Sequence, residues 1–430
     1  MNAQIVIAAG LRTPQVRAGA ANGREDAGHL GAAVLSETLA RCAVDPARLD
    51  HVFAGCVGPP YDQANVARVI ALRAGVPKHV PALTVGRNCA SGMEAVHQAC
   101  LHIEAGHGDL FACVGVEVMS AYPLVYGPQM TDLFAGLSRA KSAGQKVATL
   151  TKFRPAHLAP RVALLAGLTD PVCGLIMGKT AEVLAREFGI SRQEGDRYAL
   201  ESHRRASAAR SAGRFHKEIM PLLPLGGSKA QRIDHDDSIR DNQTMEALGK
   251  LPPFFDKPDG VVTVGNSCGI SDGATALIVT TSARARELGL TPLAKVRSLE
   301  WAGLEPERMG LGPVFASQRA LAKARCELAD IGAVELNEAF AHQVLACQKA
   351  FASASFAQRE LGRERALGEL DLARTNINGG AIALGHPVGA TGARLLLTLA
   401  HQLAVSNCEL GLATLCIGGG QGGACVLERI

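Results

Sequence analysis

Strand and helix patterns follow one another in the same order twice along this chain of 430 residues. The first series gives strands at 4–9, 51–57, 82–86 and 110–116 and helices at 28–42, 64–74 and 90–105. The second series gives strands at 293–300, 332–336, 375–378 and 410–416 and helices at 314–326, 339–352 and 390–404. This repetition predicts an α/β protein composed of two similar halves.

Short matching strings support the repeat. The first helix of each half ends on Ala-Arg-Cys, at 40–42 and 324–326, and the last strand of each half begins near a Gly-Ala pair, at 273–274 and 423–424. Such alternation favours mainly parallel sheets covered by helices. Two copies are expected to pack as a pseudo-dimer, with functional groups on the loops where the halves meet. Chance agreement between two generic α/β series is the alternative interpretation.

The segment 121–250 interrupts the first series. It is rich in Pro, Gly, Lys and Arg, and it contains one long polar helix near 191–212 and the basic and apolar run TLTKFRPAHLAPRVALLAGL. The predicted domains are an N-terminal half formed by 1–120 and 251–283, an inserted lid at 121–250, and a C-terminal half at 284–430. In one interpretation the insert covers the active site, and in the other it forms a surface for oligomer contacts.

Composition and charge narrow the functional classes. The net charge is +4, aromatic residues make up 4% of the chain and no long Lys/Arg run is present, so nothing supports nucleic-acid binding. The N-terminus lacks the features of a signal peptide, and no apolar stretch approaches about 18 residues. This pattern predicts a protein without a transmembrane helix, located in the cytoplasm, with an organelle matrix as the alternative. Twelve cysteines are scattered without a C-x-x-C pair or a zinc-like cluster, and we expect mostly reduced thiols and no metal site.

Residues 87–93 read RNCASGM and are predicted to lie where a strand ends and a helix begins. A cysteine at such a position meets unpaired backbone N–H groups and the positive end of the helix dipole, and both stabilise a thiolate. Small neighbouring residues leave room for a substrate. Cys89 is therefore a candidate nucleophile, with a buried structural cysteine as the equal alternative.

His386 lies within the Gly-rich run NINGGAIALGHPVGATGAR at 376–394, directly before a predicted helix that Pro387 can open. Packing explains a histidine in such a loop poorly. By the repeat, His386 occupies the position equivalent to the turn of Cys89. We therefore expect a catalytic histidine here rather than a structural one.

Two further strings follow predicted strands. The run CIGGGQGG at 416–423 formally contains the spacing G-x-G-x-x-G, but only 424–430 follow it, too few residues for the helix and strand of a dinucleotide-binding unit. The loop instead offers exposed N–H groups for an oxyanion, beside a second candidate thiol, Cys416. Asn337, in the string NEAF, either caps a helix or positions a water molecule.

Together these strings resemble the thiolase family, the acyl-CoA C-acyltransferases, over essentially the whole chain. Four motifs occur in the family's order and spacing, namely NCASGM at 88–93, NEAFA at 337–341, GHPVGATGAR at 385–394 and CIGGGQG at 416–422. The resemblance implies a duplicated αβαβα layered fold with mixed sheets. The stretch SFAQRELGR at 355–363 and the insert at 150–176 are most similar to the β subunit of the fatty-acid oxidation trifunctional complex.

The resemblance also implies CoA-dependent cleavage of a 3-ketoacyl-CoA to acetyl-CoA and a shortened acyl-CoA, or the reverse Claisen condensation, through an acyl group on Cys89. His386 would take the thiol proton, and Cys416 would protonate the departing enolate. Asn337 would hold a water that forms one oxyanion hole with His386, and the N–H groups of Cys89 and Gly418 would form the other. To act as acid and base at neutral pH, Cys416 needs surroundings that lower its pKa.

Contacts to CoA are less closely specified. Cys268, in NSCG, occupies a position where many family members place a CoA-contacting serine. Lys229 and Arg232, in a polar loop, are candidates for binding the CoA phosphates, or are simply solvated side chains. CoA and acyl-CoA are substrates in this interpretation, with no bound cofactor and no metal.

The resemblance has consequences for assembly as well. The family's habit implies a homodimer or a homotetramer. The trifunctional-type stretches imply a hydratase/dehydrogenase α subunit as a partner, although Asn337 stands where that subgroup often has a histidine.

Two other functions fit parts of the pattern. A ketoacyl synthase shares the duplicated fold and the nucleophilic cysteine, but it uses two histidines, or a His and an Asn, and lacks the second cysteine of CIGGG. A non-catalytic acyl-CoA binding protein is the alternative outside catalysis, and the presence of every catalytic residue type argues against it.

Overall fold

The computed structural model describes residues 4–19, 25–225 and 232–430. Its strands are β1 (Ile5–Arg12), β2 (Val16–Arg17), β3 (His51–Gly55), β4 (Ala82–Val85), β5 (Leu110–Val118), β6 (Leu124–Tyr126), β7 (Pro160–Val162), β8 (Ser271–Thr281), β9 (Ala294–Gly303), β10 (Ile331–Leu336), β11 (Leu410–Ile417) and β12 (Gln421–Arg429).

The α-helices are α1 (Ala27–Arg41), α2 (Val66–Arg73), α3 (Ser91–Glu104), α4 (Pro128–Arg139), α5 (Ala143–Leu150), α6 (Ala163–Gly167), α7 (Met177–Glu187), α8 (Arg192–Ser211), α9 (Met245–Gly249), α10 (Ser282–Glu287), α11 (Gly312–Ala324), α12 (Ala341–Ala352), α13 (Ala354–Glu360), α14 (Ala381–Leu384) and α15 (Val388–Val405).

The predicted repeat is visible in the order of the strands. The N-terminal half places its strands in the order β4-β3-β5-β8-β1, and the C-terminal half in the order β10-β11-β12-β9. Strands β1 and β9 pair with each other, so that the two sets join edge to edge. The prediction of a strand at 375–378 is wrong. Only Thr375 bridges β10, because Asn376 has a φ of 49° and turns the chain out of the extended conformation.

The strand directions differ from the mainly parallel sheet that the alternation favoured. Strand β3 runs parallel to β4 and β5, and β10 runs parallel to β11, whereas the other neighbours on the path through the sheet are antiparallel. The cause lies in the connections. Strand β12 follows β11 through a tight turn at 418–420, and β8 returns from the long insert. The mixed sheets implied by the family resemblance are confirmed.

Helices α3 and α15 lie between the two halves. One apolar cluster joins Met93 and Val96 of α3 and Leu396 of α15 to one face of the strands from each half. The opposite faces are covered by α1 and α2 in the N-terminal half and by α11 and α12 in the C-terminal half. Both faces of each half's strands are therefore covered by helices, and the layers follow the order α-β-α-β-α.

The insert has two different parts. Helices α7 and α8 pack on the C-terminal half, with Leu184 in that half's core and Leu200 against Ile382. Between 124 and 167, in contrast, only Met130 and Leu133 are buried. The domain boundaries proposed from the sequence stay a prediction.

Three properties concern the described residues as a whole. All twelve cysteines are free thiols. Within 4–19, 25–225 and 232–430, no helix is long and apolar enough to cross a membrane, and no three His, Cys, Asp or Glu side chains are grouped to hold a metal ion.

Candidate active site

Cys89 lies in a short 3-10 turn, Asn88–Ala90, between the end of β4 and the start of α3. Asn88 directly before it has a φ of 42°, in the left-handed region that asparagine tolerates better than most residues. Ser91 fixes the turn, since its hydroxyl accepts from the Arg87 N–H at 2.9 Å and donates to the Asn88 carbonyl at 2.8 Å. The sulfur is thereby placed at the N-terminus of α3, as the motif predicted.

The second glycine-rich turn lies beside the first. Gly419 and Gly420 have φ values of 91° and 76°, and a Cβ at Gly420 would come within 2.2 Å of the Leu304 carbonyl, so this turn requires glycine. Asn88 Nδ2 donates to the Gly418 carbonyl at 2.7 Å. A guanidinium N–H of Arg87 donates to the Gln421 side chain at 3.1 Å. These two bonds tie the cysteine turn of one half to the CIGGGQG turn of the other.

The sulfur of Cys89 is a thiol in this environment. Burial raises the pKa of Cys89, and the nearby Glu117 carboxylate raises it further, while the N–H groups of Gly418 and of Cys89 itself lower it. Burial outweighs the two donors, so the helix position does not by itself make Cys89 a thiolate. Cys89 therefore needs a base to take its proton before it can attack.

His386 lines the same cavity as Cys89 and is the candidate for that base. It lies two residues before α15, is 6% exposed, and its Nδ1 lies 2.7 Å from Oγ1 of Thr391. Its Nε2 is buried and has no hydrogen-bond partner in the described part of the chain. Burial, and then the positive charge of Arg394, lower the pKa of His386 to about 3. The imidazole is therefore neutral at physiological pH and keeps a lone pair for a proton.

Cys416 occupies the end of β11 and is fully buried. Burial raises the pKa of Cys416 well above its ordinary value, and the proximity of Cys89, Cys347 and Cys268 raises it further. The surroundings of Cys416 therefore raise its pKa, whereas action as both acid and base at neutral pH requires a lowered one. A neutral thiol is a proton donor, which suits protonation of an enolate.

Cys268 also lines the cavity, and its N–H donates to the Ala339 carbonyl at 3.0 Å. Burial and the proximity of Cys89 raise the pKa of Cys268 to about 12. Its side chain lines the same cavity as Cys89. Cys268 is thus a neutral, half-buried wall residue at the site.

Asn337 follows β10 and is fully buried, and its N–H donates to the Thr414 carbonyl at 3.0 Å. Neither its Oδ1 nor its Nδ2 has a partner among the residues that the structure describes. Buried amides are nearly always hydrogen-bonded, so the two polar atoms of Asn337 are available to bind a small polar molecule such as water. Two residues farther on, Ala339 reaches the cavity wall.

One cavity of about 920 Å³ unites most of these groups. Cys89, His386, Cys416 and Gly418 line it together with Cys268. Its remaining wall is mainly apolar and includes Val57, Tyr122, Leu164, Leu168, Met177 and Phe340. The sequence motifs therefore converge on one site, to which the insert contributes part of the wall.

Glu117, at the end of β5, is a buried group that the sequence motifs did not reveal. Its carboxylate accepts from the N–H groups of Val57 and Gly58, each at 3.0 Å, from Gly389 at 2.9 Å and from the Tyr122 hydroxyl at 2.9 Å. The Gly389 bond reaches the first turn of α15, so Glu117 joins the two halves behind the cavity. A signal is present in the sequence, since Glu117 is the only charged residue in the strand LFACVGVEV.

The two basic CoA candidates are not at this cavity. Lys229 lies outside the described residues. Arg232 lines a second cleft together with Arg41 and His216, and its guanidinium lies 3.8 Å from Asp234. Its role in binding CoA phosphates stays a prediction without support from its placement.

Both halves of the chain match known proteins. Residues 5–283 match the family model described as "Thiolase, N-terminal domain", and residues 290–429 match "Thiolase, C-terminal domain". The 3-ketoacyl-CoA thiolase of Aeromonas salmonicida (strain A449) is 41% identical over 432 residues, which cover 99% of each chain. That of Escherichia fergusonii is 42% identical over 436 residues, which cover 99% of this chain and 100% of the relative.

Solved structures give the same result. The Bacillus anthracis acetyl-CoA acetyltransferase superimposes with a TM-score of 0.87 at 34% identity and covers 100% of both chains. The human mitochondrial 3-ketoacyl-CoA thiolase in complex with CoA superimposes with a TM-score of 0.85 at 34% identity, covering 100% of this chain and 98% of the human one.

Proposed function

The chain belongs to the thiolase family and is an acyl-CoA C-acyltransferase, and on this premise we propose that Cys89 carries the acyl group between two CoA thioesters. The activity is CoA-dependent cleavage of a 3-ketoacyl-CoA, or the reverse condensation. One observation carries the residue assignment, namely that Cys89, His386, Cys416 and Gly418 line a single cavity.

In the cleavage direction, the Cys89 proton passes to Nε2 of His386 and the thiolate attacks the 3-keto carbon. The bond between C2 and C3 then breaks, leaving an acyl group on Cys89 and the enolate of acetyl-CoA. Cys416 gives its thiol proton to that enolate. A neutral thiol and a neutral imidazole are the protonation states that these transfers require.

The second half-reaction restores the resting state. The Cys416 thiolate takes the thiol proton of an incoming CoA, whose sulfur attacks the acyl group. Cys89 leaves as a thiolate and recovers its proton from His386. Because one thioester is exchanged for another, the transfer is nearly balanced in energy.

Negative charge on the substrate oxygens is met by two sets of donors. We assign the N–H groups of Cys89 and Gly418 to the acyl oxygen, since both already act on the Cys89 sulfur. His386 and a water held by the unpartnered amide of Asn337 serve the thioester oxygen of acetyl-CoA. Loss of one such donor typically costs about 10²–10³ in rate.

Acetylation by acetyl-CoA tests the nucleophile. We expect an acetyl mass on the peptide that contains Cys89 after acid quenching, and no such mass in Cys89→Ala. Cys42→Ser is the matched control, because Cys42 is a half-buried cysteine at the end of α1, away from the cavity. An unmodified Cys89 peptide in the wild type would refute the assignment.

Proton exchange tests the second thiol. We expect Cys416→Ser to keep acetylation of Cys89 but to lose exchange of the acetyl-CoA α-protons with deuterated water. Exchange at the wild-type rate would remove Cys416 from the mechanism.

Substrate length is a further proposal. Leu164 and Leu168 of the insert give the cavity an apolar wall on which an acyl chain can lie. Thiolysis is then expected to favour longer 3-ketoacyl-CoAs. Strict preference for acetoacetyl-CoA would contradict this expectation.

Assembly, pathway and location are also proposals. Fatty-acid β-oxidation is supported by the names of the relatives. A homodimer or homotetramer is proposed from the family resemblance, and a cytoplasmic location from the bacterial origin of these relatives. A hydratase/dehydrogenase α subunit is supported only by the trifunctional-type sequence stretches. Size-exclusion chromatography with light scattering, alone and after co-purification, tests the assembly.

A further inference from the structure

Thr391 lies behind the imidazole of His386, in the first turn of α15. Its side chain is fully buried. Its hydroxyl oxygen lies 2.9 Å from the Pro387 carbonyl and 2.7 Å from Nδ1 of His386. No step of the proposed mechanism uses this residue, although it makes the closest polar contact to the catalytic base.

Counting protons determines which ring nitrogen carries hydrogen. A carbonyl oxygen can only accept, so the contact with Pro387 requires the single hydroxyl proton of Thr391. The lone pair of Oγ1 then faces Nδ1, and the second contact is satisfied only if Nδ1 bears a hydrogen and donates it.

The opposite tautomer is disfavoured. With hydrogen on Nε2, Thr391 would have to turn its proton from the Pro387 carbonyl to Nδ1, and one hydrogen bond would be lost. The buried Nε2–H would also have no acceptor within the described part of the chain. A buried donor without a partner costs more than a buried lone pair that awaits a substrate proton.

We propose that Thr391 is a positioning residue that fixes His386 in the Nδ1–H tautomer, so that the lone pair of Nε2 is free to accept the Cys89 proton. The inference rests on the proposed function. When the proton passes from the Cys89 sulfur to Nε2, the S–H bond breaks and an N–H bond forms. The Nδ1–H stays bonded to Thr391 throughout, and the proton returns to the Cys89 sulfur when the acyl group leaves.

Two variants separate the effect of the Thr391 hydroxyl group from the effect of side-chain size. Thr391→Val replaces the hydroxyl with a methyl group of similar size, and Thr391→Ser keeps the hydroxyl. The readouts are ¹⁵N NMR of histidine-labelled protein, with the His386 signals assigned by their loss in His386→Gln, and the rate of Cys89 acetylation by acetyl-CoA in rapid-quench experiments. Urea unfolding of each variant verifies that it is folded.

The wild type should show hydrogen on Nδ1 and none on Nε2. Thr391→Val should show loss of this single tautomer and a fall in acetylation rate of about 10- to 100-fold, the range for a buried group that has lost its partner. For acetylation of Cys89 by acetyl-CoA, the KM should change much less than kcat in Thr391→Val. Thr391→Ser should restore both the tautomer and the acetylation rate.

Hydrogen on Nε2 in the wild type would overturn the inference whatever the variants do. An unchanged tautomer and rate in Thr391→Val would overturn it as well. These outcomes differ from failure of the proposed function, in which the wild type does not acetylate Cys89 at all although the NMR signals still report the tautomer.

Discussion

The turn of Cys89 and the turn of His386 occupy equivalent positions in the two halves. Each residue lies two positions before a helix, α3 or α15, and the second residue of each helix is a glycine. A Cβ at Gly92 would come within 2.8 Å of the Gly389 carbonyl, so the starts of the two helices lie almost in contact. Duplication of one half-fold therefore brings two different side chains to the same place.

The two turns differ in what holds them. The Cys89 turn follows a true strand and is tied to the other half by Asn88 and Arg87. The His386 turn follows no strand. Its backbone N–H donates to the Gly269 carbonyl of the N-terminal half at 3.3 Å, but its imidazole is held by Thr391 of its own helix. We infer that the duplicated backbone places two residues at equivalent positions. Sequence divergence between the halves then makes one of them a cysteine nucleophile and the other a histidine base. Neither half is complete alone.

Removal of the base should have the largest effect. His386→Gln leaves Cys89 as a thiol of raised pKa with no acceptor for its proton. We expect the rate of Cys89 acetylation to fall about 10²- to 10⁴-fold, the usual contribution of a positioned general base. The reaction with a small neutral alkylating reagent should fall in parallel in stopped-flow measurements.

The control for this loss is His401→Gln. His401 lies farther along α15, its side chain is half-buried, and it does not line the cavity. Acetylation in His401→Gln should stay near the wild-type rate. Similar losses in both variants would mean that the effect of His386→Gln comes from the helix rather than from the base.

The close approach of α3 and α15 can be broken by one methyl group. A Cβ at Gly392 would lie 2.6 Å from the Met93 backbone nitrogen, so Gly392→Ala must displace one helix. We expect a loss of about 1–3 kcal/mol in the free energy of unfolding, together with slower acetylation, because Cys89 and His386 lie at the starts of the displaced helices. Gly144→Ala, in α5 with nothing within 4 Å, is the matched control and should not destabilise. Equal stability of the two variants would contradict the close packing.

The positions of the two turns can largely be predicted from the sequence, because each turn is defined by residues that are close to it in the chain. Cys89, His386 and Cys416 each stand at the boundary of an element with a clear hydrophobic pattern. Boundaries of this kind are set by neighbours in the chain. The repeat alone also predicts that His386 lies opposite Cys89.

Contacts between distant parts of the chain cannot be predicted in the same way. The antiparallel pairing of β1 with β8 and β9 depends on where the insert returns the chain, which no periodicity encodes. The depressed pKa of His386 and the raised pKa of Cys416 come from burial by many elements at once. The four-residue spacing from Pro387 to Thr391 is visible in the sequence. Whether the Thr391 hydroxyl also contacts His386 depends on the orientation of the imidazole, which the sequence does not reveal.

The link from Asn88 to the other half should have a smaller effect. Asn88→Gly keeps a residue that accepts a positive φ but loses the bond to the Gly418 carbonyl, and we expect a cost of about 0.5–1.5 kcal/mol in unfolding free energy. Asn88→Ala loses the same bond and adds a left-handed penalty of about 1–2 kcal/mol. Urea unfolding should therefore rank alanine below glycine. The reverse order would show that the left-handed conformation is absent.

The smallest expected effect is that of pH on acetylation. The pKa of His386 is lowered to about 3 by burial and by Arg394, and the pKa of Cys89 is raised by burial. Between about pH 5 and 8 the base then stays neutral and the nucleophile stays a thiol, so single-turnover acetylation should vary less than about 2-fold. A break near pH 6.5 would mean that the imidazole titrates as if it were exposed.

Acid should instead act through stability. In the unfolded chain His386 binds a proton near its ordinary pKa of 6.5, whereas the folded protein excludes that proton down to about pH 3. Stability is therefore present in full above pH 6.5 and falls as the pH drops through this window, by up to about 1.4 kcal/mol per pH unit for one such group. His203 and His342, both lowered to about 4, act in the same direction. In acid, we expect the turnover rate to decline together with the folded fraction, while the acetylation rate per folded molecule stays constant. This result would show that acid acts through the stability of the fold and not through titration of the catalytic base.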